Sequence, residues 1–94
     1  MSACVVGHIT VRDAEKWAQY RAQVPATLAP WNAELLFRGQ LTAALDGGHR
    51  HTDLVIIRFP DRAAVDAWYA SPAYQALIPL RNEAADMDLL VFTD

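Results

Sequence analysis

Hydrophobic and polar positions alternate or recur along this chain with periods that change from segment to segment. Residues 3–11, ACVVGHITV, are β-branched and apolar enough to predict a strand. Asp13 is placed to cap the helix that follows, its carboxylate accepting from free amides of the first turn. Trp17, Tyr20, Val24 and Leu28 recur at helical spacing, which predicts an amphipathic helix over residues 14–29. Pro25 removes a backbone donor and is expected to kink or break that helix, and Pro30 to end it. A second strand is expected from Trp31 to Leu41, then a turn at Leu45-Asp46-Gly47-Gly48. HTDLVIIRF, residues 51–59, is the strongest strand pattern. Pro60 stops it and Asp61 caps a helix carrying Val65, Trp68 and Tyr69. Ser71 and Pro72 restart a helix as N-cap and first residue, running to about Ala85, and residues 87–93 form the last strand.

The order strand, helix, strand, strand, helix, strand predicts a ferredoxin-like α+β fold: a four-stranded antiparallel sheet with both helices on one face. With 94 residues and no linker or repeat, residues 1–94 form one domain.

Splitting each strand by parity gives two sets of side chains. Val5, Gly7, Ile9, Val11, Leu35, Phe37, Gly39, Leu41, Val55, Ile57 and Phe59 form an apolar set expected to face the helices. Val6, His8, Thr10, Glu34, Leu36, Arg38, Gln40, Leu54, Ile56 and Arg58 form a mixed set on the other face. Two helices cover only one face, so the mixed set would leave an apolar patch in water. A homodimer packed through the open sheet face is the economical cover, closing a barrel across two subunits.

Composition narrows the partners. Hydrophobic residues at 53% and charged residues at 20% exclude a disordered chain. A net charge of -3 argues against nucleic acid, which needs a surplus of Lys and Arg. No apolar stretch approaches the roughly 20 residues that cross a bilayer, so no membrane partner is expected. The N-terminus lacks the basic region of a signal peptide, and a single cysteine, Cys4, forms no internal disulfide; a cytoplasmic location follows.

Phe59-Pro60-Asp61, Ala64, Trp68-Tyr69, Ser71-Pro72, Tyr74-Gln75 and Arg81 together resemble the signature of the domain of unknown function 1330 family. The Asp13 helix start, Arg38-Gly39 and the Asp46-Gly47 turn fit the same order over nearly the whole chain. Two positions depart from the pattern: Trp31-Asn32-Ala33 stands in place of an aromatic residue and two glycines, and Ala14 in place of a proline. The resemblance implies a small dimeric α+β barrel but no particular reaction. Cofactor-free monooxygenases, lactone isomerases, polyketide cyclases and haem-degrading enzymes share that wider fold, a kinship of fold only.

Several residues carry candidate chemistry. His8, on the mixed parity, is a candidate general base, the role to which histidine as a residue type is suited, or a hydrogen-bonded core histidine. Arg38 and Arg58, sharing that parity, would bind a carboxylate or enolate in the barrel, unless Glu34 pairs with them. Arg81 would reach an anion at the barrel mouth, or pair with Asp46, Asp53 or a turn carbonyl. Tyr69 and Tyr74 are core aromatics, one of whose phenols is available to a ligand. His49, His51 and Asp53 fall on one side of an extended chain, a generic spacing on which no metal site is assigned. No phosphate loop, nucleophile elbow or Cys-x-x-Cys implies a cofactor.

These features lead to a dimeric barrel that binds a small anionic or aromatic organic ligand. Cofactor-free proton-transfer or oxygenase-type chemistry at His8 is one extension. The alternative is a non-enzymatic ligand-binding or assembly module whose polar residues serve only the dimer.

Overall fold

The computed structural model describes residues 2–94. Strand β1 (Ala3–Val11) leads into α1 (Ala14–Leu28), a short 3-10 turn (Ala29–Trp31), and strands β2 (Glu34–Gln40) and β3 (Asp53–Phe59). Helices α2 (Arg62–Ala70), α3 (Pro72–Gln75) and α4 (Ile78–Ala84) then precede β4 (Ala85–Thr93). The strands lie in the order β2-β3-β1-β4, and every pairing is antiparallel. This is the ferredoxin-like arrangement that the pattern of elements predicts.

The helix starts are set by side chains. Asp13 accepts from the Lys16 amide at 3.1 Å, and Asp61 from the Ala64 amide at 2.8 Å. Ser71 accepts from the Tyr74 amide at 3.3 Å while Pro72 occupies a position where its missing donor is harmless. Pro25 does not end α1: the helix continues to Leu28, and the Ala29 amide still bonds to the Pro25 carbonyl. Buried Thr27 and Leu28 hold that last turn against the core, which outweighs the one lost bond. The expected second strand starts three residues later than predicted, because residues 29–31 close a 3-10 turn and Asn32 takes a left-handed φ of 53°. The last helical stretch is divided between α3 and α4, and β4 begins at Ala85 rather than residue 87.

The core lies between the sheet and the helices. Val5, Ile57 and Phe59 meet Tyr20, Leu28, Val65, Trp68, Tyr74 and Leu77 there. The parity expected for β1 and β3 therefore holds. In β2 it fails beyond Leu35. Leu35 opposes Ile57 but Phe37 opposes Ile56, so Leu36 is an extra residue in a β-bulge. Everything after it is turned over. Phe37 and Gly39 fall on the open face, while Arg38, opposite Val55, turns to the helix side.

A cavity between sheet and helices, and a histidine cluster

Directly opposed residues of an antiparallel pair share a face, so the registers place each candidate. Arg58 lies opposite Cys4 and Glu34, on the open face. Its guanidinium donates to Glu34 at 3.1 Å, the salt bridge the sequence offered as one option. Arg38 is on the opposite face, so the two arginines share no enclosed space. His8 lies on the open face opposite Leu54, four positions along β1 from the residue that faces Arg58. That is about 13 Å at the usual rise per residue. His8, Arg38 and Arg58 thus do not assemble into one site, and the expected combination of base and paired cations is corrected on that ground.

Under α1, a cavity of about 340 Å³ opens instead. Its walls are apolar and aromatic: Trp17, Tyr20, Val24 and Leu28 from α1, Val55 and Ile57 from β3, and Trp68 and Tyr74 beyond them. Arg21 from α1 and Arg38 from β2 also border it. Partial burial, then the nearby Arg21 charge, lowers the pKa of Arg38. Neither Arg21 nor Arg38 is in an ion pair among the described residues, whereas Arg12, Lys16, Arg50, Arg58 and Arg62 all are. Asp53 lines the same cavity and accepts a hydrogen bond from its neighbour Thr52.

A hydrogen-bond chain runs along the inner wall. Arg81 Nη1 donates to Tyr74 Oη at 2.9 Å, and the Tyr74 and Tyr20 hydroxyls are 2.8 Å apart. Trp17 stacks on Tyr20 with ring centroids 5.1 Å apart. Burial, with Tyr74 adding to it, drives the Tyr20 phenol well above its usual pKa. Burial opposes the Arg81 charge, but the hydrogen bond and attraction from Tyr74 outweigh it and raise its pKa. Arg81 is therefore not paired with Asp46 or Asp53; it braces the tyrosine pair. Tyr69 is exposed on α2, its ring centroid 5.6 Å from that of Tyr74, and does not border this cavity.

The open face carries a second feature. His8, His49 and His51 converge beside a hollow of about 350 Å³, with His8 and His49 ring centroids 4.8 Å apart. His51 is buried, its Nδ1 2.9 Å from the Thr10 hydroxyl and its Nε2 3.1 Å from Asp88. Both of its ring nitrogens are thereby occupied. Asp53, grouped with His49 and His51 by spacing, turns to the helix side opposite Ile9. Among the described residues no group of three or more His, Cys, Asp or Glu side chains is placed to hold a metal ion. Nor is any described helix long and apolar enough to cross a membrane.

The architecture defines a ferredoxin-like domain with a cavity between sheet and helices. Residues 2–94 match the model of the domain of unknown function family DUF1330, and the chain belongs to that family. No curated protein matches it. Solved structures share its fold at low identity. A protein of unknown function from Rhodopseudomonas palustris is 18% identical with a TM-score of 0.84, covering 99% of this chain and 82% of its own. A dimeric ferredoxin-like protein of unknown function from Jannaschia sp. CCS1 is 12% identical with a TM-score of 0.78, each chain covered completely at 100%. SnoaB, a cofactor-independent oxygenase from Streptomyces nogalater, is 15% identical with a TM-score of 0.72, covering 99% of this chain and 92% of its own. At these identities the likeness is one of fold.

Proposed function

We propose that this protein binds a small organic anion with an apolar or aromatic body, an aryl carboxylate in the simplest case, in the cavity under α1. The observation that carries the reading is the pair Arg21 and Arg38, two cations without carboxylate partners on the border of an aromatic cavity. Adjacent like charges repel, and a bound carboxylate relieves that repulsion while its ring is buried against Trp17, Trp68 and Tyr74. His8 stands on the other face of the sheet, so no proton transfer in this cavity runs through it.

The reading includes a homodimer joined through the open sheet face. Phe37, Leu90 and Phe92 are 55%, 42% and 56% exposed there, around half-buried Val6, Leu54 and Ile56. A second copy of the same face supplies a matching apolar surface. The dimeric relative from Jannaschia sp. CCS1 supports a dimer, without saying which face joins it.

Thermal unfolding with a panel of aryl carboxylates and their neutral amides tests the ligand class. At a hundredfold excess over Kd, a binding carboxylate should raise Tm by roughly 10 °C or more. Arg38→Ala and Arg21→Ala should each remove most of that rise, and the amides should give little. Equal stabilisation by the amides, or an undiminished shift in Arg38→Ala, would overturn the reading. Sedimentation tests the dimer: wild type should run as two chains and Ile56→Lys as one.

A further inference from the structure

The direction of the hydrogen bonds along Arg81, Tyr74 and Tyr20 says more about the ligand. A guanidinium only donates, so Tyr74 Oη must accept the 2.9 Å bond from Arg81. The Tyr74 hydroxyl hydrogen then needs an acceptor of its own. Tyr74 is 0% exposed, so water does not serve, and the Tyr20 hydroxyl at 2.8 Å is its partner. If Tyr20 donated to Tyr74 instead, a fully buried hydroxyl hydrogen would be left unpaired, the costlier arrangement. With Tyr20 Oη accepting, its own hydrogen has no other acceptor among the described residues, and Tyr20 borders the cavity.

We infer that Tyr20 presents its hydroxyl as a donor to the cavity, so that the bound ligand carries an acceptor oxygen, a ketone or similar carbonyl, besides its carboxylate. The inference rests on the aryl-carboxylate reading of the cavity and adds a second recognition point to it. The high pKa of the Tyr20 phenol keeps it protonated and able to donate. Stacking by Trp17 fixes the ring that carries it. Arg81 acts as a positioning residue: it occupies Tyr74 Oη from one side and so turns the Tyr74 proton toward Tyr20.

The test uses matched probes of equal shape: para-acetylbenzoate against para-isopropenylbenzoate, and their naphthoate counterparts, titrated calorimetrically into the intact protein. In wild type the ketone should bind roughly three- to tenfold more tightly than the alkene, the worth of one neutral hydrogen bond. Tyr20→Phe should abolish that preference, bringing ketone and alkene within about twofold of each other, while it also leaves the Tyr74 hydroxyl hydrogen without its acceptor. Arg81→Met, which leaves Tyr20 intact but frees Tyr74 to accept from it, should reduce the preference without touching the alkene. A wild type with no ketone preference, or a preference that survives Tyr20→Phe, overturns the role of Tyr20 while leaving the anion site standing. Alkene binding that ignores Arg38→Ala, or no binding by any probe at millimolar concentration, overturns the parent reading and this one with it.

Discussion

Glu34 and Arg58 face each other across β2 and β3, with Arg58 Nη2 donating to Glu34 Oε2 at 3.1 Å on the face away from the helices. Their side chains are 61% and 52% exposed, so water and salt screen the pair in a lone subunit. A double-mutant cycle with Glu34→Ala and Arg58→Ala under monomeric conditions should return a coupling below about 1 kcal/mol that shrinks further in salt. Arg58→Ala should leave carboxylate binding within about twofold of wild type, because the cavity is on the other side of the sheet. Loss of binding in that variant would move the anion site to the open face.

Gly7 carries a packing constraint next to the cavity. It is buried on the helix side of β1, and a Cβ there would sit 2.8 Å from Val55 Cγ1, 3.5 Å from Met87 Sδ and 3.6 Å from Leu89 Cδ1. Val55, Met87 and Leu89 all line the cavity, so the methyl group forces Val55 to shift among cavity-lining neighbours. Gly7→Ala should cost about 1–3 kcal/mol in chemical denaturation, the usual penalty of overpacking. It should also weaken a naphthoate more than a benzoate. A stabilised variant with unchanged ligand preference would show that the sheet absorbs the methyl freely.

These predictions turn on faces, and faces were only partly legible from residue order. β1 and β3 alternate cleanly, so Val5, Ile57 and Phe59 point inward as their parity predicts. The caps Asp13, Asp61 and Ser71 were legible because a cap is a local bond between a side chain and an amide three positions on. The bulge was not. Leu35-Leu36-Phe37 is apolar throughout, so no polar residue marks the position where the alternation slips, and strict alternation puts Arg38 on the face opposite to the one it occupies. The tyrosine pair and the histidine cluster were hidden for a different reason. Tyr20 and Tyr74 are 54 positions apart, and His51 finds Thr10 and Asp88 at separations of 41 and 37. No spacing rule reaches that far; only the sheet order and the helix packing bring those residues together.

Asp88 predicts an acid-side dependence. A hydrogen bond with buried His51 is the main cause holding its carboxyl below the usual carboxylate range; burial opposes this slightly, and the charge of Arg50 adds to it. Because the folded pKa lies below the unfolded one, the unfolded chain takes up the proton first. The contribution of Asp88 is therefore full above the ordinary carboxylate pKa and fades as pH falls through the lower, folded value. Urea unfolding of Asp88→Asn beside wild type should show a stability gap that is constant near neutrality and narrows below about pH 4. A gap that widens on acidification would contradict the assigned direction.

Thr27 makes the clearest case for a buried polar bond in the core. Its hydroxyl donates to the Val24 carbonyl at 2.7 Å and accepts from the indole Nε1 of Trp68 at 3.1 Å. Trp68 is 2% exposed, so its N–H has no recourse to water if that acceptor is removed. Thr27→Val keeps the shape and removes the acceptor, which should cost about 1–3 kcal/mol, the penalty of an unpaired buried donor. In a domain of this size that corresponds to a fall in Tm of roughly 4–8 °C for each kcal/mol. Thr27→Ser retains the hydroxyl and loses only a methyl group, so it should recover most of the loss. Calorimetric melting of the two variants separates the hydrogen bond from the packing: if Thr27→Ser were the less stable of the pair, the methyl contact rather than the Trp68 bond would be holding this end of α1 to α2.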